Sequence, residues 1–173
     1  MNSPQAVPHP AHKDYEGSKL GMWLFLFTEI LLFGGLFILY SAYRARYPLE
    51  FHSSGQHLNV VIGVANTVIL LTSSLTVAVS ISALRKGDRR MSIACLSATI
   101  ALGAAFLVNK YVEWSGEIHH GLYPNSPELL QRPHGDQIFF GLYYSMTGLH
   151  GLHVLAGITL LSVILAFVVR KKV

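Results

Sequence analysis

Four long apolar stretches separated by short polar ones organise this chain: residues 20–43, about 60–84, about 91–112 and about 138–169. At about 1.5 Å of rise per helical residue, each exceeds the roughly 30 Å hydrocarbon core of a bilayer. None alternates apolar and polar positions, and lipid tolerates no open sheet edge. The pattern therefore predicts an all-α, polytopic bundle of four transmembrane helices. As a helix the fourth stretch would reach roughly 48 Å, so it must tilt strongly or project beyond the bilayer. Residues 1–19 carry four prolines or glycines, two histidines and mixed charge. They lack a basic start leading straight into a short apolar stretch, so the expectation is a flexible tail rather than a cleaved signal. One transmembrane domain over 20–173 follows it.

Composition and charge sharpen this picture. Charged residues are 13% of the chain and hydrophobic ones 51%, and that charged share is about half that of a soluble domain. The net charge of +4 sits in short clusters at the ends of the apolar stretches. No basic stripe interleaved with aromatics exists, which argues for membrane orientation and against a nucleic-acid partner. Lysine and arginine count nine on the side of the N-terminal segment, the 85–90 turn and the C-terminal end. They count four (Arg44, Arg46, Lys110, Arg132) on the other side. The positive-inside rule then puts both termini in the cytoplasm and makes 114–137 an external loop, long enough for a short amphipathic piece or a partner contact. The single cysteine, Cys95, rules out a disulfide framework or a cysteine metal cluster.

Polar residues inside the apolar stretches are the candidates for function. Glu29 lies nine residues into the first stretch, where an ionised carboxylate costs about 2.5–3.5 kcal/mol. It should face protein or water, or be held protonated. In the second stretch Asn66, Ser73 and several other small polar residues suit close helix approach. Gly148 and Gly151 do the same in the fourth. Lys110 and Glu113, three apart and beside Trp114, share one helix face at the external end of the third stretch. Two readings stand: an interfacial ion pair within an aromatic belt, or a Glu113 anchor for a neighbouring subunit or lipid headgroup.

His150 and His153 share a face of the fourth stretch, but no other stretch holds a histidine. A haem between helices would need one there, so haem ligation is disfavoured. A metal held by these two and Glu29 is compatible with spacing and equally disfavoured. Hydrogen-bonded histidines within the bundle are the expectation. No nucleophile elbow and no Gly-rich phosphate loop occurs, so catalysis by this chain alone has no support.

Four segments in unbroken order carry a family resemblance. Gly148-Leu149-His150-Gly151-Leu152-His153-Val154, preceded by Phe139-Phe140-Gly141-Leu142-Tyr143-Tyr144, resembles the most recognisable stretch of subunit III of haem–copper oxidases. The run from Trp23 to Phe33 resembles the family helix with the membrane-embedded acid, at Glu29. Asn66-Thr67 with Leu70-Leu71-Thr72-Ser73-Ser74 is similar to the next helix, and Lys110, Glu113 and Trp114 to the one after it.

The resemblance implies a non-catalytic subunit beside a catalytic one that holds the haems and copper. No cofactor is bound by this chain, bound phospholipid contributes, and the role is stabilisation and support of proton entry. It implies other oxidase subunits and membrane lipids as partners, and a bacterial cytoplasmic membrane as the location. Glu29 is then expected protonated or bonded to a neighbouring helix, at His150 or His153. Longer members have two helices before this set and usually one more after it. Either the last helix comes from another chain, or this is a shortened member. An accessory protein of nitric-oxide reductases and a small proton-coupled transporter remain the alternatives.

Overall fold

A computed structural model describes residues 15–58 and 60–170. They form six helices: α1 (Tyr15–Arg46), α2 (Pro48–His57), α3 (Val60–Arg85), α4 (Arg89–His119), α5 (Pro127–Leu130) and α6 (His134–Val169). No strand occurs among the described residues. Helices α1, α3, α4 and α6 are each long and apolar enough to cross a membrane.

Every one of these four helices runs past its apolar stretch, for a local reason. Apolar residues mark where lipid lies, whereas helix ends fall at caps and prolines. Tyr15–Lys19, expected as tail, are the first turns of α1; the remainder of that expected tail lies outside the described residues. Pro48 cannot continue α1 and instead opens α2, a helix the apolar pattern did not announce. Between α3 and α4, Gly87 takes a φ of +80°, and the Asp88 side chain accepts from the Met91 N–H at 3.1 Å to cap α4. Within the expected external loop, Trp114–His119 belong to α4. Ser126 caps the single turn of α5 by accepting from the Leu129 N–H at 3.1 Å.

The chain divides into two compact units, one ending at Leu39 and one running from Tyr40 to Val173. In its described residues the first is the helix α1 as far as Leu39, with no buried residue. Thr28 bonds back to its own helix, its hydroxyl donating to the Phe25 carbonyl at 2.7 Å.

In the second unit, α4 is the central element, packing against α3 and α6. Its buried residues Ser92, Leu96, Thr99, Gly103 and Phe106 recur at alternating intervals of four and three, the spacing that keeps one stripe facing a neighbour. The α3–α4 hairpin is registered by polar pairs that step away from the Gly87 turn. The Ser80 and Ser92 hydroxyls share a hydrogen bond at 3.0 Å, those of Thr76 and Thr99 at 2.7 Å, and Asn109 Nδ2 donates to Asn66 Oδ1 at 3.0 Å. Thr67 and Thr72 instead donate to carbonyls one turn back in α3. The opposite face of α3 leaves Val61, Val64, Val68, Leu71 and Leu75 exposed. That surface would drive association in water and is at home in lipid.

Against α6, α4 packs tightly at Gly103. A methyl group there would stand 3.0 Å from Ile158 Cγ1. At the far end of α6, Arg89 holds the last carbonyls: its Nε donates to Val168 O at 2.8 Å and its Nη2 to Val169 O. Helix ends leave such carbonyls without intrahelical donors. Arg89→Met should cost about 1.5–3 kcal/mol, the worth of hydrogen bonds to a charged group. Amide hydrogen exchange should then quicken in the last turn of α6 and not in its middle.

A small aromatic core closes the other end of the second unit. Phe51 of α2, Leu122 and Leu129 of the α4–α6 connection, and Phe139, Phe140 and Leu142 of α6 are buried together, with Tyr40, Tyr43 and Tyr47 packed around them. Ser54 donates to Asp136 at 2.7 Å inside this cap. Gly135 allows the helices to meet, since a Cβ there would lie 2.7 Å from Glu50 Cβ and 3.0 Å from Tyr47 Cβ.

Candidate functional site

The 4–3 stripe of α4 does not stop where its residues become charged. Continuing the same interval from Phe106 leads to Lys110, Glu113 and Glu117. The charged residues therefore point along the packing face, toward α6. Lys110 Nζ donates to Glu113 Oε1 at 2.9 Å, and the side chains are 18% and 9% exposed. From α6, the Tyr143 hydroxyl donates to the same carboxylate oxygen, while Lys110 lies 5.2 Å above the Tyr143 ring and donates to its oxygen at 3.4 Å. Glu117 is buried one turn further on.

One lysine, two acids and two phenols thus occupy a single stretch of the α4–α6 seam. Placing such groups out of water is expensive unless they are paired and hydrogen-bonded. Here the Tyr143 hydroxyl, bonded to the Glu113 carboxylate, ties α6 to the Lys110–Glu113 pair of α4. The arrangement is suited to holding helices in register.

Trp114 turns inward. Its ring lies 5.3 Å from that of Tyr144, and its Cη2 would stand 3.5 Å from a methyl group at Gly148. Gly148 thereby seats the indole. At Gly151, by contrast, a methyl group would meet nothing within 4 Å, so close approach falls to Gly103. Gly151 belongs instead to a groove of about 430 Å³ between α4 and α6, lined chiefly by Leu107, Tyr111, Trp114, Leu152 and Leu155. Asn66 is buried in its bond with Asn109, and Ser73 is half-buried between Asn66 and Ser80 on the same face of α3.

Of the two histidines, His150 meets the Phe106 ring edge-on at 5.4 Å. His153 Nδ1 lies 2.7 Å from the Leu149 carbonyl, an acceptor, so that nitrogen carries the hydrogen. Both are half-buried members of the second unit; Glu29, half-buried in α1, belongs to the first. Among the described residues, no three His, Cys, Asp or Glu side chains gather in a way that would hold a metal ion.

Sequence reading missed Tyr143, Tyr144 and Glu117 as members of this seam, and Asn109 as the partner of Asn66 between α3 and α4. The signal was present in the unbroken 4–3 interval of α4, which assigns Lys110, Glu113 and Glu117 to the face of Gly103 and Phe106.

Comparison with known proteins agrees with this architecture. The family model for cytochrome c oxidase subunit III matches residues 8–172. Cytochrome c oxidase subunit 3 of Thermostichus vulcanus is 33% identical over 156 residues, covering 90% of this chain and 70% of that protein. The Corynebacterium diphtheriae protein of the same name is 31% identical, covering 89% and 71%. Cytochrome bo(3) ubiquinol oxidase subunit 3 of Pseudomonas aeruginosa is 29% identical, covering 90% and 69%.

Proposed function

Because the chain belongs to the cytochrome c oxidase subunit III family, we propose that it lies against the catalytic subunit of a haem–copper terminal oxidase, stabilises that subunit during turnover and supports its uptake of protons. It is a multi-pass membrane protein and a non-catalytic subunit of a haem–copper oxidase, associated with other oxidase subunits. In this proposal the membrane is the bacterial cytoplasmic one, with both termini inside. The partner subunit holds haem and copper, phospholipid fills the spaces between subunits, and the electron donor is a matter for the other subunits. Relatives named for cytochrome c and for ubiquinol oxidases both match over nine-tenths of this chain or close to it.

The observation that carries the reading is a family match extending through all four membrane helices. The geometry supports it: polar pairs inside the second unit join its own helices, α3 to α4 and α4 to α6. The test is purification in mild detergent followed by a haem spectrum and a record of activity over many turnovers. Co-purification with a haem-bearing subunit, and faster loss of activity when this chain is stripped away, are the expected results. Proton-coupled transport by the chain alone in liposomes would replace the proposal with a transporter.

Glu29 enters the same proposal as the membrane acid that supports proton uptake. Glu29→Gln retains side-chain shape and removes the ionisable group. It should leave the yield of assembled complex nearly unchanged while slowing turnover. Loss of the complex on this substitution would make Glu29 a structural ion-pair member instead.

A further inference from the structure

Four side chains at the charged end of the α4–α6 seam form a run of contacts. The Tyr143 hydroxyl donates to Glu113 Oε1, and the rings of Tyr143 and Tyr144 lie 5.3 Å apart. Those of Tyr144 and Trp114 also lie 5.3 Å apart, and Trp114 follows Glu113 in the chain. Three fully buried polar atoms of this run, Glu113 Oε2, Trp114 Nε1 and the Tyr144 hydroxyl, have no hydrogen-bond partner among the described residues. The Glu113 side chain is only 9% exposed. Buried polar atoms in folded proteins are almost always bonded, and three of them in one run of contacts point to a small partner between the helices.

The chemistry of the three atoms selects the class of that partner. An indole N–H only donates and a carboxylate oxygen accepts, whereas a phenol does both. A ligand serving all three must accept from Trp114 and donate to Glu113. A bare cation cannot accept from the indole, and an anion cannot donate to the carboxylate. Bulk is limited as well, because all three atoms are closed to the surface. We infer that Glu113, Trp114 and Tyr144 form a buried hydration site that binds one or two ordered water molecules between α4 and α6. Buried waters typically make about three hydrogen bonds to groups of this kind. Such water bonds the second oxygen of Glu113, since Lys110 and Tyr143 both donate to the first. The site lies wholly within this chain and does not depend on which complex the chain joins.

The experiment is a cryo-electron microscopy map of the chain in its native complex, at a resolution that shows water. It is paired with infrared spectra of the complex in D2O for the wild type, Tyr144→Phe and Trp114→Phe. Density within about 2.6–3.2 Å of at least two of the three atoms is expected. So is a weakly bonded O–D stretching band that each variant loses. Tyr144→Phe and Trp114→Phe keep an aromatic ring in place, so the loss is read in a folded complex. Direct bonding of the three atoms to one another, a partner subunit's side chain inserted among them, or a metal cation at the position would each overturn the inference. A water band unchanged in both variants would overturn it too.

Discussion

Lys110→Met is expected to destabilise the α4–α6 seam by about 3 kcal/mol, at the low end of the range for breaking a buried ion pair from one side. The substitution keeps the length of the side chain and removes the charge that Glu113 Oε1 meets at 2.9 Å. Glu113 is then left nine-tenths buried, with the Tyr143 hydroxyl as its remaining donor among the described residues. Most of the cost lies in that stranded carboxylate and not in the lost attraction itself. The double variant Lys110→Met/Glu113→Gln removes both charges, and it should recover most of the stability. Thermal release of the subunit from its complex, followed for the wild type, both single variants and the double, measures the coupling. If the double variant loses as much as the two singles added together, the pair is an exposed, weakly coupled one.

Phe140→Ala is expected to cost about 3–5 kcal/mol, the usual penalty for emptying a buried phenylalanine site. Phe140 is 0% exposed and meets Phe139 edge-on at 5.3 Å. It shares its core with Phe51 of α2 and with Leu122 and Leu129 of the α4–α6 connection. The loss should be local. Proteolysis within the connection after α4, and hydrogen exchange in α2, should rise steeply. The α3–α4 hairpin, held by its own polar pairs, should keep its protection. Equal loosening of the hairpin would show that the cap and the helices fold as one cooperative unit.

Much of this molecule is legible in its sequence because lipid is an unforgiving solvent. A segment such as 138–169, with no room for unbonded backbone groups, has only a helix available to it. Shorter elements escape that logic. Helix α2, PLEFHSSGQH, has no long apolar run, and its signals are only Pro48 at the start and Glu50 in the first turn. Its stability comes from Phe51, Ser54 and the close fit against Gly135, contacts more than eighty residues away in the chain. Helix ends were misjudged for a related reason. Hydropathy reports the boundary of lipid, while Gly87, Asp88 and Ser126 set the boundary of the hydrogen-bonded backbone.

The candidate site divides in the same way. Lys110 and Glu113 are three apart, and their pairing follows from helix geometry alone. Tyr143 lies thirty residues from Glu113 in sequence, and nothing local says which residue of α6 will face it. Glycines make the point most directly. Gly103, Gly148 and Gly151 all lie in helices long enough to cross, and each permits a close neighbour. Only at Gly103 does a side chain, that of Ile158, come close enough to press on a methyl group; Gly148 receives Trp114 at ordinary contact, and Gly151 receives nothing.

What the sequence determined by itself is the number and kind of membrane helices, the residues available for polar bonding, and the family. All of these follow from local composition and from order along the chain. Which faces meet was decided by the tertiary structure, because a helix presents a new side chain every 100° or so. Only packing against a particular neighbour selects which of those faces becomes the seam.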